Sequence, residues 1–364
     1  MKLWGTLSIY LGKQFLRNVG IIFAALVSII FLVDFIELLR KSADKENVTI
    51  FLMLQMTLMR LPTLSQKLLP FIALFGGMLT FFRMSRSSEL TVIRASGVSA
   101  WLFLMPSLAI AFFGGIFILT VINPIAAAME THAAQLENKY FEKKTNILQL
   151  SSENLWLRQV DEDGLFVIHA LGAINQGIDL TDVIIFQYDT NEQFVGRIEA
   201  SHAKLNKGYW DLKDVLLTSP ELPGTFLDTL QLETSLTVSQ IQESFAPPKN
   251  LSIWDLPGFI KTLEEAGFSA LKHRIYWHSL IAGPVLLLAM VLVAATFSLR
   301  ATRRGRAGLL ILSGIASGFV FYFFTDIILA LGLAGTLPVL MAAWTPAIAI
   351  TLLGLSMMFH LEDG

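Results

Sequence analysis

Cysteine is absent from the chain, which excludes disulfides and cysteine-ligated metals as a means of holding any part of it together. Charge is scarce as well. Only 15% of the 364 residues are Asp, Glu, Lys or Arg, too few for an ordinary soluble domain. No G-x-x-x-x-G-K-[ST] run occurs, so the chain has no phosphate-cradling loop of its own. No H-E-x-x-H is present either, and His132, His169, His202, His273, His278 and His360 are scattered, so neither a metal nor any other cofactor is expected. What the chain has in quantity is apolar sequence: 54% of residues are hydrophobic and the mean hydropathy is +0.60. These values describe an integral membrane protein.

The formal net charge of −2 hides a division. Residues 130–274 hold 12 Lys and Arg against 21 Asp and Glu, whereas the rest of the chain holds 15 against 8. An acidic insert, large enough to own a core, is attached to a basic membrane part. No nucleic-acid partner is expected.

Between two long apolar runs lies a polar island, Arg83 to Gly97, RMSRSSELTVIRASG. It reads as a short helix near 85–97, too short to cross a bilayer, which needs about 20 residues. Ser87 or Ser88 is placed to cap its start by accepting a backbone N–H, Glu89 suits the positive end of the helix dipole, and Gly97 suits a left-handed stop. Its spacing puts Glu89, Ile93 and Ser96 on one face and Leu90, Arg94 and Gly97 on the next, so that a carboxylate and an apolar strip share one exposed side. Arginines at the end of a span belong on the cytoplasmic side. Either this is a helix that receives force from a soluble partner, or it is a solvated loop with ordinary topology charges.

Taken in order, Met1 to Asn18 reads as an interfacial cytoplasmic helix leading into a retained first span, about Val19 to Leu39, whose outer end carries Asp34, Glu37, Arg40 and Lys41. After an outer loop with Asp44, Lys45 and Glu46, the segment Phe51 to Phe82 is longer than a span requires and contains Pro62 and Pro70. Counting back about 20 residues from Arg83 puts Arg60 at the outer boundary and Lys67 about a turn inside it, where a lysine must snorkel, pair or line a polar cavity. The third span, Val98 to Ile122, has Pro106 and Gly114-Gly115 as bend or close-packing points; Asn123-Pro124 is expected to end it, and Ala126 to Glu142 reads as a polar helix that continues out of the membrane before the insert.

The insert then alternates. Asn154 to Gln159, Leu165 to Leu171, Asp182 to Tyr188, Phe194 to Leu205, Tyr209 to Thr218 and Phe226 to Val238 read as strands of an all-β sandwich or jelly roll. Pro247-Pro248 closes it. Ser252 with Asp255 forms a capping box for a short helix that Gly267 stops. Three further spans follow, about Ile275 to Leu299, Leu309 to Leu331 and Leu337 to Phe359, with Arg300, Arg303, Arg304 and Arg306 in a cytoplasmic cluster. The expected fold is thus an α-helical membrane protein with six transmembrane helices and an inserted, jelly-roll-like all-β domain on the extracytoplasmic side. Both termini are expected to be cytoplasmic. The divisions are 1–129 for the first membrane half, 130–250 for the β domain, and 251–364 for a linking helix and the second half.

Arg40, Lys41, Arg60 and Lys67 lie where lipid phosphates lie, and charge-assisted hydrogen bonds from them would hold an anionic headgroup; snorkelling and pairing with Asp34 and Glu37 is the alternative. Asp326 is a lone acid in the fifth span, either hydrogen-bonded within the bundle or coupled to an ion. Besides a permease, two other classes fit the composition. One is a lipid-modifying membrane enzyme using Asp34, Glu37 or Asp326, against which no nucleophile and base stand at a recognisable spacing. The other is a scaffold for extracytoplasmic partners.

The motif SELTVIRASG at Ser88 to Gly97, the opening GTLSIYLGKQFL at Gly5 to Leu16, the stretch RRGRAGLLILSGIASGFVFYFF at Arg303 to Phe324 and the three-plus-three layout around a β insert resemble the LptF/LptG permeases of the lipopolysaccharide-export ABC transporter. The resemblance spans the whole chain, and the opening is closer to LptG. It implies a non-enzymatic permease subunit in the bacterial inner membrane, an LptF-type permease partner, an LptC-type periplasmic bridge protein, lipopolysaccharide as cargo, and an LptB-type ATPase dimer that uses the ATP. Arg86, Glu89, Arg94 and Gly97 would then be coupling-helix residues, and Arg40 and Lys41 would match basic residues of the first span. The family's pattern has a lysine where this chain has Asp34, with Lys67 as the compensating cation.

Overall fold

The computed structural model describes residues 2–42, 48–140, 155–161, 164–174, 179–189, 193–206, 208–219, 222–234, 247–265, 269–299 and 307–362. The loop with Asp44, Lys45 and Glu46, the stretch 141–154, the end of the sixth β run, Gly267 and the cluster Arg300, Arg303, Arg304 and Arg306 lie outside the described residues, as does the side chain of Arg94.

The chain divides into two compact units: residues Met1–Lys143, Lys249–Asp255 and Leu271–Gly364 form one, and Lys144–Pro248 with Leu256–Ala270 form the other. The stretch 130–140, placed in the insert by the sequence reading, is helical and belongs to the first unit.

The first unit contains α1 (Lys2–Ser42), α2 (Ile50–Arg86), α3 (Glu89–Ala95), α4 (Ala100–Phe117) and α5 (Asn123–Tyr140), then α7 (Leu271–Leu299), α8 (Ala307–Leu333) and α9 (Val339–Glu362); α6 (Leu256–Glu265) falls in the second. Among the described residues six helical stretches are long and apolar enough to cross a membrane: α1, α2, α4 with α5, α7, α8 and α9. Their pattern is inverted relative to a soluble bundle. Ile29, Leu32, Val33 and Ile36 of α1 and Phe319, Val320, Phe323 and Ile327 of α8 are exposed, as a lipid solvent allows. The interior is built on α7, whose residues from Ala289 to Ala295 are all buried and which packs against α2, α4 and α9. Small residues let the helices approach, since a Cβ on Gly115 would stand 2.8 Å from the Cα of Pro284.

The helix continues past Asn123-Pro124, as the helical pattern after it suggests. One turn of π-helix, Ile118–Ile122, joins α4 to α5, and the helix runs on. Pro124 lacks the N–H that would satisfy the Thr120 carbonyl four residues back, and the Trp254 indole N–H donates to that carbonyl instead, at 3.2 Å. The same return segment is fixed along α5 by Ile253 N–H donating to Asn123 Oδ1 at 2.9 Å, by Thr131 donating to the Asn250 carbonyl, and by Lys249 pairing with Glu130. The Ser252–Asp255 capping box forms and α6 begins at Leu256.

In the second unit all six expected runs are strands: β1 (Leu155–Asp161), β2 (Gly164–Ile174), β3 (Asp179–Tyr188), β4 (Phe194–Asn206), β5 (Tyr209–Ser219) and β6 (Leu222–Glu233). They form one antiparallel sheet in the order β1-β2-β3-β4-β5-β6. The jelly-roll expectation is corrected to this extent: among the described residues every strand pairs with its sequence neighbour. The connections are only long enough for hairpins, and a Greek key needs a long return.

One face carries the core, with Ile168, Leu180, Ile185, Ile198, Leu205, Trp210 and Leu212 buried. Strict alternation breaks at one level. Core-facing residues fall three apart at Leu180/Val183, Ala200/Ala203, Leu212/Val215 and Leu227/Leu230, while the pairing register stays continuous across it. Asp182 and Asp214 adopt positive φ (49° and 52°) at that level, a conformation that aspartate tolerates better than most residues. Ser201, between them on β4, donates to Asp214 Oδ2 at 2.6 Å.

Among the described residues Trp210 is the largest fully buried side chain of the sheet, and its indole N–H has no acceptor. Trp210→Ala should therefore cost about 3–5 kcal/mol by cavity formation, whereas Trp210→Phe should change stability by only about 1 kcal/mol because no hydrogen bond is lost. Protease resistance of the sheet within the full-length, detergent-purified chain measures both.

Candidate functional site

The residues singled out from the sequence fall into three places, all in the helical unit. At one end of α2, Arg86 is exposed and a turn at Ser87-Ser88, with Ser88 at φ 62°, leads into α3. The capping expectation is not met: the Ser87 hydroxyl donates to the Met84 carbonyl and to Glu89 Oε1 (2.9 Å) rather than accepting a backbone N–H. Glu89 is not a free acid, since Tyr10 of α1 donates to its other oxygen at 3.0 Å. Gly97 takes the left-handed stop at φ +82°. The apolar side of α3 turns inward, with Leu90 buried and Ile93 packed on the helical core, so the exposed apolar residue is Val92. Beside this, Arg83 donates to Asn18 Oδ1 at 3.0 Å, and the Asn18 amide donates to Thr80 at 3.1 Å inside the bundle. Two polar ties thus hold α1 against the C-terminal end of α2.

At the other end of α2, Arg60 is largely buried between two acids. It lies 3.8 Å from Asp34 of α1 and forms a closer pair with Glu137 of α5. Lys41 pairs with Glu37 at 3.1 Å and reaches Glu137 at 3.6 Å. Arg40 is exposed and makes no salt bridge among the described residues. Of the three cations expected at this level, Arg60 and Lys41 are therefore committed to internal partners. Asp34, the apparent departure from the family's pattern, is the counter-ion of Arg60. The buried hydroxyl of Thr57 on α2 lies beside this carboxylate.

Lys67 lines a different feature, a groove of about 340 Å³ between α2, α7 and α8. Phe71, Phe321, Tyr322, Thr325 and Asp326 line it as well, and Phe71 and Tyr322 lie ring to ring at 6.0 Å. Asp326, for which hydrogen bonding within the bundle and ion coupling were both open, is an exposed carboxylate lining this groove. Lys67 and Asp326 form no salt bridge with each other or with any other described residue.

The chain matches the family described as lipopolysaccharide export system permease LptF/LptG over residues 9–360. It belongs to that family. It is 24% identical to the lipopolysaccharide export system permease protein LptG of Escherichia coli (strain K12), with 98% of each chain covered. It is 25% identical to the protein of the same name from Haemophilus influenzae, with 94% of this chain and 95% of that one covered. The LptF/LptG membership makes the chain a multi-pass membrane protein of a transporter family, and the three places above are where its chemistry is concentrated.

Sequence reasoning missed Glu137, Asn123, Tyr10 and Asn18. Glu137 looks like a solvated residue on a polar helix, and Asn123 like a helix stop; only the fold reveals that Asn123 donates to Gln66 at 3.3 Å and accepts from Ile253.

Removing Arg60 leaves the buried Asp34 carboxylate without a counter-ion and Glu137 with only Lys41. Arg60→Ala should lower stability by on the order of 3 kcal/mol, and adding Asp34→Asn and Glu137→Gln should recover much of the loss. Thermal denaturation of the detergent-solubilised chain checks this, and a triple variant no better than Arg60→Ala would dissolve the tie.

Proposed function

We infer that the chain is the permease subunit of an ABC transporter that extracts lipopolysaccharide from the outer leaflet of the bacterial inner membrane and passes it to a periplasmic bridge. The observation that carries this reading is the family match running from the first span through the β unit to the last span. The chain itself contributes no nucleotide-binding loop. ATP is used by an LptB-type ATPase dimer, the second permease is of the LptF type, and the cargo is received by an LptC-type protein. In this reading α3, its arginine-rich flanks and both termini face the cytoplasm, and the Arg60 end and the β sheet face the periplasm, in keeping with the positive-inside rule.

α3 is the coupling element. The outward surface at this end includes Arg86 of α2 and Val92 of α3, with Gly97 setting where the chain turns back. Glu89 acts by holding α3 to α1 through Tyr10, so a push on α3 reaches the first span directly. Glu89→Ala should leave the chain inserted and folded but reduce ATPase co-purification several-fold; Tyr10→Phe, which keeps the carboxylate and removes its tether, should retain the ATPase and slow transport. Wild-type behaviour of both variants in a pull-down and a transport assay would remove α3 from the coupling path.

At the opposite end Arg40 is the cation with open valence for a lipid phosphate, worth on the order of 1 kcal/mol as an exposed contact. Arg40→Glu should reduce lipopolysaccharide co-purification while leaving ATPase binding intact, and mass spectrometry of the purified complex reads both quantities.

A further inference from the structure

The groove between α2, α7 and α8 holds one cation and one anion in walls that are otherwise aromatic and aliphatic. α2 and α8 run antiparallel along it, since Gly314 lies against Met78, Gly318 against Phe71 and Leu74, and Asp326 shares the groove with Lys67. It therefore lies towards the Arg60 end of the bundle. A charge in an apolar span is costly unless it finds a partner, and here two opposite charges stand in one groove without pairing. A purely anionic headgroup would satisfy Lys67 and be repelled by Asp326. A purely cationic one would meet the reverse. A headgroup carrying both signs on neighbouring atoms satisfies each, with its apolar part against Phe71, Phe321 and Tyr322.

We propose that this groove is a binding site for a zwitterionic amphiphile whose phosphate ester bears a primary ammonium, with the phosphate at Lys67 and the ammonium at Asp326. The site lies within this single chain and does not depend on the transport reading. Two membrane sources share the chemistry: phosphatidylethanolamine of the bulk bilayer, and a phosphoglycolipid with an ethanolamine-substituted phosphate. Asp326 is then the residue that selects for the ammonium, and Lys67 the residue that secures the phosphate.

The test uses the full-length chain, purified with whatever subunits accompany it, and native mass spectrometry with three lipids of identical acyl chains: phosphatidylethanolamine, its N-acetyl derivative and phosphatidylglycerol. The wild type should bind phosphatidylethanolamine about tenfold more tightly than the other two, the expected size of one charge-assisted contact in an apolar site. Asp326→Asn should abolish that preference without weakening the N-acetyl lipid, Asp326→Glu should retain it, and Lys67→Met should weaken all three. Equal wild-type affinity for phosphatidylethanolamine and its N-acetyl derivative would overturn the proposal. Competition between phosphatidylethanolamine and an ethanolamine-substituted lipid A names the source, and displacement by either supports the site.

Discussion

The tie made by Arg60 between Asp34 and Glu137 is the constraint from which the organisation of the helical unit follows. α1 buries few side chains, Leu11, Phe15 and Leu38 among them, and in lipid it gains nothing by hiding apolar surface from water. Polar contacts supplement its packing against α2 and α4. They occur at its two ends, through Tyr10 and Asn18 at one and through Asp34 and Lys41 at the other. The long middle of the helix is left to lipid. A helix held at its ends and loose along its length can bow or rotate without breaking either tie.

The same logic explains where α5 belongs. An acidic and amphipathic stretch following a span looks like the beginning of a soluble domain, yet Glu130 and Glu137 are the counter-ions of Lys249 and Arg60. Their negative charge serves the helical unit. The π turn before α5 and the Trp254 contact at Thr120 let the helix pass a proline without leaving a carbonyl unmet, which is why Asn123-Pro124 punctuates the sequence but not the fold.

Much of this was legible from residues alone, for physical reasons that differ by element. The six apolar stretches were plain because spanning hydrocarbon demands about 20 apolar residues, and α3 was plain because Ser-Ser and Gly97 bracket seven helical residues. The six strands followed from alternation. What stayed hidden depends on partners distant in sequence. The inward turn of Leu90 and Ile93, the capture of Glu89 by Tyr10 and the pairing of Lys41 rather than Arg40 with Glu37 are decided by what α1 and the core place nearby. Depth leaves Lys67 to snorkel, pair or line a cavity, and the structure places it at a groove. Its companion Asp326 was not foreseen, because nothing in the order of the chain places the fifth span's acid beside the second span's lysine. The sheet's hairpin order was missed because strand count suggested a closed double layer, whereas the short connections allow only neighbours to pair.

The break in alternation at Asp182 and Asp214 bears on how such a sheet can change over generations. Each of β3 to β6 is two half-strands out of phase, joined at a common level. Losing or gaining one residue there in a single strand would turn half of that strand inside out, presenting leucines to water and aspartates to the core. Length variation is therefore cheap at the hairpin tips and prohibitive at this level unless all four strands shift together, so the seam divides the sheet into two blocks that drift separately in size but not in phase.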